Sequence, residues 1–141
     1  MGERDLAAEQ ANKDRIRAAF ESWAAGTGGP FDLLADDASW TIVGTTPVSG
    51  TYESRRAFLD SVVAPFNARM QTPLRPRVRA LFSEGDWVIA LFDAGATARD
   101  GEPYENTYTW YLRLSGEAIV EVIAFFDAVE FTDLWNRVAP A

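Results

Sequence analysis

Neither cysteine nor histidine occurs in this 141-residue chain. Without thiols there is no disulfide, no thiolate nucleophile and no thiolate-bound metal. Without imidazole there is no Ser-His-Asp triad, no histidine general base and no histidine-ligated zinc or iron. Lysine occurs once, as Lys13 in a charged N-terminal segment, which argues against Schiff-base chemistry. Proton transfer is left to Asp, Glu, Tyr, Lys or Arg, or to a water they orient. The sequence gives no reason to expect a metal or any other cofactor.

Long apolar runs are also missing, and none approaches the roughly 18–20 residues that span a bilayer. The opening "MGERDLAAEQANKDR" is charged and has no signal-peptide core. Leu6 stands where a myristoylation signal wants Ser or Thr. Positive charge is scarce too: 13 basic against 21 acidic residues leave a formal charge of −8. Phosphate backbones and anionic membrane surfaces are repelled by such a surface. The expectation is a soluble cytoplasmic protein that binds neither nucleic acid nor membrane.

What the chain has in quantity is apolar and aromatic residues, 48% and 13% respectively, enough for a sizeable core in one domain over residues 1–141. Residues 1–11 read as a loosely ordered polar lead-in. Ile16, Ala19, Phe20 and Trp23 then recur at helical spacing, and "GTGGP" ends that helix. "PFDLLADDASW" predicts one helical turn and a short strand through Trp40, Ile42 and Val43. "GTTPVSGTY" predicts a loop. A further helix starts near Glu53, with Phe58, Val62 and Phe66 on its apolar side and Pro65 set to kink or end it.

The second half is β-rich. "RPRVRALFS", "DWVIALFDAGATAR", "PYENTYTWYLRL" and "AIVEVIAFFD" are four runs separated by the turn signals "EG", "DG" and "SG". They predict an antiparallel meander covered on one face by the N-terminal helices, an α+β class. In the third run Tyr104, Asn106, Tyr108, Trp110, Leu112 and Leu114 share one face. The fourth run is apolar on both faces, so a second subunit against the back of the sheet is a reasonable second cover.

With these elements in order, the chain resembles the nuclear transport factor 2-like superfamily, and within it the SnoaL-like and ketosteroid-isomerase-related proteins. The strings that carry the resemblance are "DRIRAAFESWAAG", "LLADDASWTIVGTTPVSGTYESRRAFL", "EGDWVIA" and "DGEPYENTYTWYLRLSGEAIVEVIAFFD", together about residues 12–130. The resemblance implies a cone-shaped curved sheet wrapped by helices (the cystatin-like roll), a pocket at one end, and a homodimer formed through the sheet. The steroid-isomerase set of Tyr, Asp and Asp does not carry over, because Phe20, Thr41 and Trp110 stand near those positions. The limonene-epoxide hydrolase set keeps only its last Asp, at Asp127, with Asn106 and Tyr108 near the others. The SnoaL-like pattern of Asn, Tyr two residues on, and Asp ending the next strand is matched by Asn106, Tyr108 and Asp127. In the polyketide-cyclase members a pocket Asp acts as acid/base.

Each candidate has a structural alternative. Asp127 is either the pocket acid or the N-cap of a terminal helix, "DAVEFTDLWNRV", with Glu130 at N3. Asn106 and Tyr108 either polarise a substrate carbonyl or satisfy backbone and water. Asp93, inside an apolar strand, either faces the pocket or marks a bulge near Gly95. Trp40, Trp110, Trp23, Phe20, Tyr52 and Phe66 are core residues or, if a pocket exists, its lining for a flat apolar guest. Arg75, Arg77 and Arg79 alternate along one strand, as an exposed edge or as ion pairs across a dimer, with anion binding as the alternative. The functional expectation is a small cofactor-free acid/base enzyme that cyclises, isomerises, hydrates or dehydrates a small hydrophobic carbonyl compound, polyketide- or terpenoid-like. The alternative is a non-catalytic small-molecule-binding or dimerisation module.

Overall fold

The computed structural model describes residues 4–141. Its first element, α1 (Leu6–Ala25), starts at Asp5, whose carboxylate accepts the Ala8 N–H at 2.9 Å. The expected lead-in over 1–11 is therefore corrected: residues 6–11 are helical, and residues 1–3 lie outside the described residues. Buried Glu9 holds this end down. It pairs with Arg4 and accepts the Gly85 N–H at 3.1 Å, while the Ser83 hydroxyl donates to its carbonyl at 2.8 Å. The polar segment thus orders through a contact with a turn some 75 residues away, which local sequence pattern does not encode.

A 3₁₀ turn (Pro30–Leu33) leads into β1 (Leu34–Ile42), as the "PFDLLADDASW" pattern predicts. The predicted loop after it contains a three-residue edge strand, β2 (Gly50–Tyr52), paired with β1 through Trp40 and Tyr52. So short a strand leaves no period to detect. Next, α2 (Arg55–Phe58), capped by the Ser54 hydroxyl, continues through a π-helical segment (Leu59–Val63) into α3 (Ala64–Asn67). Pro65 does not end this helix at its own position, since the helix runs on to Asn67. The Ala64 N–H reaches back five residues to the Leu59 carbonyl, and this widened turn leads into the proline, which has no N–H of its own to donate.

The four β-rich runs form β3 (Arg75–Glu84), β4 (Trp87–Thr97), β5 (Pro103–Ser115) and β6 (Ala118–Phe126), and α4 (Ala128–Arg137) follows. The sheet order is β2-β1-β6-β5-β4-β3. The meander is antiparallel as expected, but β1 and β6 run parallel. Such neighbours need a long connection, which here is everything from β2 to β5. Helices pack on one face: Phe20 of α1 against Phe92 and Trp110, Phe58 of α2 on Trp40, and Phe66 of α3 on Tyr104 and on Phe131 of α4. The result is an α+β roll with its core inside the curve of the sheet. On the outer face Ile89, Leu91, Tyr111 and Ile123 are half-buried, and Phe82 and Phe125 are 58% and 44% exposed.

The three arginines of β3 do not form a uniform row. The register shifts between Val78 and Ala80, Arg77 pairs with Glu105, and Arg79 grips Asp93 with bonds of 2.7 and 2.9 Å. Among the described residues no helix is long and apolar enough to cross a membrane.

Candidate functional site

Helix α1, the 3₁₀ turn, α2–α3 and the inner face of β1, β5 and β6 enclose a cavity of about 620 Å³. Its wall is aromatic because each strand contributes every second residue to the inner face. Trp23 and Trp110 stack at 5.7 Å with 12° between their planes, Trp40 and Phe58 stack at 4.0 Å, and Trp40 meets Trp110 edge-on at 4.9 Å. Rings from four elements hold one another in place, so the shape is preformed. Polar groups gather at the rim, where Asp32, Asn67, Gln71, Thr72 and Arg75 reach the wall and are exposed.

The inner face of β5 carries three polar side chains in series, Tyr104, Asn106 and Tyr108, all buried. Asn106 is fully bonded. Its Oδ1 accepts the N–H groups of Thr107 (2.8 Å) and Asp127 (3.0 Å), and its Nδ2 donates to the Asp127 carbonyl (3.0 Å) and the Tyr104 hydroxyl (2.8 Å). The last paired residue of β6 in the β5–β6 ladder is Phe126, opposite Tyr108. The Asn106 amide then stands in for a peptide group and bonds the next backbone unit, at Asp127. Two accepted N–H bonds fix which end of the amide is oxygen.

That orientation fixes the next proton. Tyr104 Oη accepts from Asn106, and its only other partner is Tyr108 Oη at 2.7 Å. Tyr104 is buried and has no third partner, so the arrangement that leaves no buried proton unmatched is the one in which its O–H donates to Tyr108. Tyr108 Oη is then an acceptor in that bond, and its own proton has no protein partner. Tyr108 forms part of the cavity wall, with its ring stacked on Phe92 at 5.0 Å and 7°. In that arrangement the series Asn106, Tyr104, Tyr108 ends in a free hydroxyl proton on a residue of the cavity wall. Burial pushes Tyr104 up to about 12 and lifts Tyr108 well above the ordinary phenol value. Both phenols stay neutral at physiological pH, so Tyr108 donates a hydrogen bond and is not a base.

Asp127 is corrected as a pocket acid. It is the N-cap of α4: Oδ1 accepts the Val129 N–H at 2.9 Å and the Glu130 N–H at 3.4 Å at an exposed position, and the residue takes no part in the cavity wall. Its backbone, not its carboxylate, meets Asn106. Asn106 itself is corrected from substrate contact to structural tie, because all four of its bonding positions are spent on protein. Asp93 faces the opposite side of the sheet, held by Arg79 and by the Thr107 hydroxyl at 2.6 Å, and those bonds keep its carboxyl below the usual carboxylate range. Trp23, Trp40, Phe66 and Trp110 line the cavity. Phe20 does not; it is core behind Trp23 and Trp110. Tyr52 is half-buried beside Phe58, and its hydroxyl donates to the Val48 carbonyl at 2.7 Å, outside the wall.

Sequence reasoning did not single out Tyr104, although its position two before Asn106 and four before Tyr108 on one strand face was a usable signal for the hydrogen-bonded series. It also passed over Phe31, Phe58 and Phe126, and Asp32 at the rim. The segments carrying Phe31 and Asp32 are too short to show a facing. Among the described residues no group of three or more carboxylates converges as a metal site would require.

The fold recurs in solved structures. A candidate SnoaL-like polyketide cyclase from Jannaschia sp. CCS1 superposes with a TM-score of 0.73 at 13% identity, over 96% of this chain and 99% of that one. A nuclear transport factor 2-like protein of unknown function from Burkholderia pseudomallei gives 0.72 at 18% identity, over 87% and 95%. A loop-truncation variant of the protein IdmH gives 0.66 at 25% identity, over 84% and 94%. A search of curated proteins finds no match. The SnoaL-like domain family matches residues 16–122, from the middle of α1 to β6, and the chain belongs to that family.

Proposed function

We propose that the protein binds a flat hydrophobic carbonyl compound, of the polyketide or terpenoid kind, and polarises its carbonyl through Tyr108. What supports this is the buried Tyr108 hydroxyl on a residue of a largely aromatic cavity wall, whose proton is left unused when Tyr104 donates to it. A fixed donor in a water-poor site stabilises negative charge that develops on a carbonyl oxygen, as it does when an enolate forms. The interior holds no carboxylate, and Asp32 at the rim is the single acid in the wall. The reaction class that suits this arrangement is an enolate-type cyclisation or isomerisation of a substrate whose α-protons are already acidic, with water or Asp32 taking the proton. The lack of an interior base equally favours a second reading, in which the site binds and does not turn over.

Two measurements test these readings. Tryptophan fluorescence, quenched by ligand in a cavity with three tryptophans, reports the affinities of 9-fluorenone and of fluorene, its analogue without the carbonyl. The protein prefers fluorenone by about tenfold, the worth of one hydrogen bond to a buried acceptor, and Tyr108→Phe abolishes that preference. An equal preference in both proteins would sink the assignment. Turnover is then read from deuterium exchange at the α-carbons of 2-tetralone in heavy water. Acceleration that disappears in Tyr108→Phe supports catalysis, whereas no acceleration leaves the binding reading.

A further inference from the structure

The rim contains one cation whose chemistry the fold leaves largely unused. Arg75 opens the edge strand β3, and its guanidinium folds over the C-terminus of α1. Nη1 donates to the Trp23 carbonyl at 3.4 Å, a long bond. Beneath it sits Gly26, left-handed at φ 78°, where a Cβ would come within 2.8 Å of Arg75 Nη2. Helix α1 has no basic residue in its last turn, so Arg75 supplies the positive charge at its negative end from another element. The other arginines of the strand are spent on Glu105 and Asp93. Arg75 forms no ion pair among the described residues, and one long bond occupies one of its five N–H groups. It is also part of the cavity wall.

The geometry points to Arg75 as the anchor for a carboxylate on the ligand, which makes the preferred ligand a flat aromatic keto-acid. The ring system lies among the tryptophans, the ketone meets Tyr108, and the acid emerges at the rim onto the guanidinium. This rests on the Tyr108 reading above and deepens it. An arginine lying over a helix terminus, in space that Gly26 leaves open, presents a fork of N–H groups beside the cavity, and such a fork matches a carboxylate. The overall charge of −8 repels anions at long range. A preference for the acid over the neutral ketone therefore has to come from a local cation. Asp32, across the same rim, works against it; one of its oxygens accepts the Gly29 N–H at 3.2 Å.

The test compares 9-fluorenone with 9-fluorenone-2-carboxylate by tryptophan quenching at pH 7.5, for the unaltered protein and for Arg75→Gln, Arg75→Lys and Asp32→Asn, with melting temperatures to verify folding. The acid binds about tenfold tighter than the ketone, the scale of one charge-assisted hydrogen-bonded pair. Arg75→Gln brings the acid-to-ketone affinity ratio to about one, Arg75→Lys keeps part of the advantage, and Asp32→Asn enlarges it. If Arg75→Gln keeps the acid-to-ketone ratio, or if the unaltered protein shows no preference for the acid, Arg75 is not the anchor although the Tyr108 reading stands. If neither compound binds, both readings fall. Should Arg75→Gln not fold, Asp32→Asn decides, because an unchanged ratio there also overturns the proposal.

Discussion

Replacing Asn106 by Leu separates a structural tie from a catalytic group. The change keeps side-chain size and removes four hydrogen bonds: to the Thr107 and Asp127 N–H groups, the Asp127 carbonyl and the Tyr104 hydroxyl. Each such bond contributes about 0.5–1 kcal/mol net, because water competes for these groups in the unfolded chain, so the sum is about 2–4 kcal/mol. Thr107 and Asp127 are exposed, and water recovers part of their loss; Tyr104 is buried and recovers nothing. For a domain of this size a loss of 1 kcal/mol lowers the melting temperature by about 3–4 °C, so Asn106→Leu melts about 6–16 °C lower. Asp127→Ala is the comparison. It removes only an N-cap with one good and one long bond, about 1 kcal/mol or 3–4 °C. Asp127→Asn, which caps nearly as well, melts within about a degree of the unaltered protein. Scanning calorimetry or urea unfolding reads all three, and fluorenone titration reads the site. If Asn106→Leu proves as mild as Asp127→Ala, the amide is not the splice between β5 and the end of β6. If Asp127→Asn abolishes ligand binding or turnover with stability intact, the carboxylate has a role that its capping geometry does not explain.

The buried phenols predict an alkaline limit. Their folded pKa values lie above the unfolded value near 10, so the stability they contribute is complete below pH 10 and is lost as pH rises toward about 12, where Tyr104 ionises. Urea midpoints should fall across that window, and Tyr108→Phe should flatten the fall; a flat profile in the unaltered protein contradicts the burial argument. Asp93→Asn should weaken the Arg79 and Thr107 contacts on the outer face yet leave fluorenone affinity within twofold, a factor within the noise of a distant, uncoupled site. A larger change would mean that the outer face communicates with the cavity. The apolar outer face is proposed as the seat of a homodimer, so sedimentation equilibrium should give twice the 15.6 kDa chain mass at micromolar concentration. Ile123→Lys, in the middle of that face, should return the monomer, and a monomeric unaltered protein refutes the dimer.

Several features were readable along the chain because their causes are local. The four strands and their glycine turns follow from period-2 alternation and turn chemistry. The start of α4 follows from an Asp placed before a helical apolar pattern. The inner face of β5 was identified residue by residue, which is why Asn106, Tyr108 and Trp110 were placed on one face. The errors came where facing depends on elements far apart in sequence. The facing of Asp93 stayed open along the chain, and only the pairing of β3, β4 and β5 shows that it meets Arg79 and Thr107 on the outer face. The helical order of residues 6–11 depends on Gly85 and Ser83, and the parallel pairing of β1 with β6 depends on the whole chain between them.

By itself the sequence determined what chemistry is possible: no thiol, no imidazole, one lysine, a negative surface, and enough apolar residues for a single α+β core. It also placed an amide and two phenols on one face of a strand. The tertiary structure decided what those groups do. Residue type fixes how many protons a side chain can donate, but the direction of each proton depends on the partners that folding brings near. Two backbone N–H groups orient the Asn106 amide, the amide bonds the Tyr104 hydroxyl, and that hydroxyl meets Tyr108 in the cavity wall, the contact on which the proposed role of Tyr108 rests. The carboxylate that sequence pattern offered as the acid, Asp127, lies one residue beyond the strand and turns outward to cap a helix.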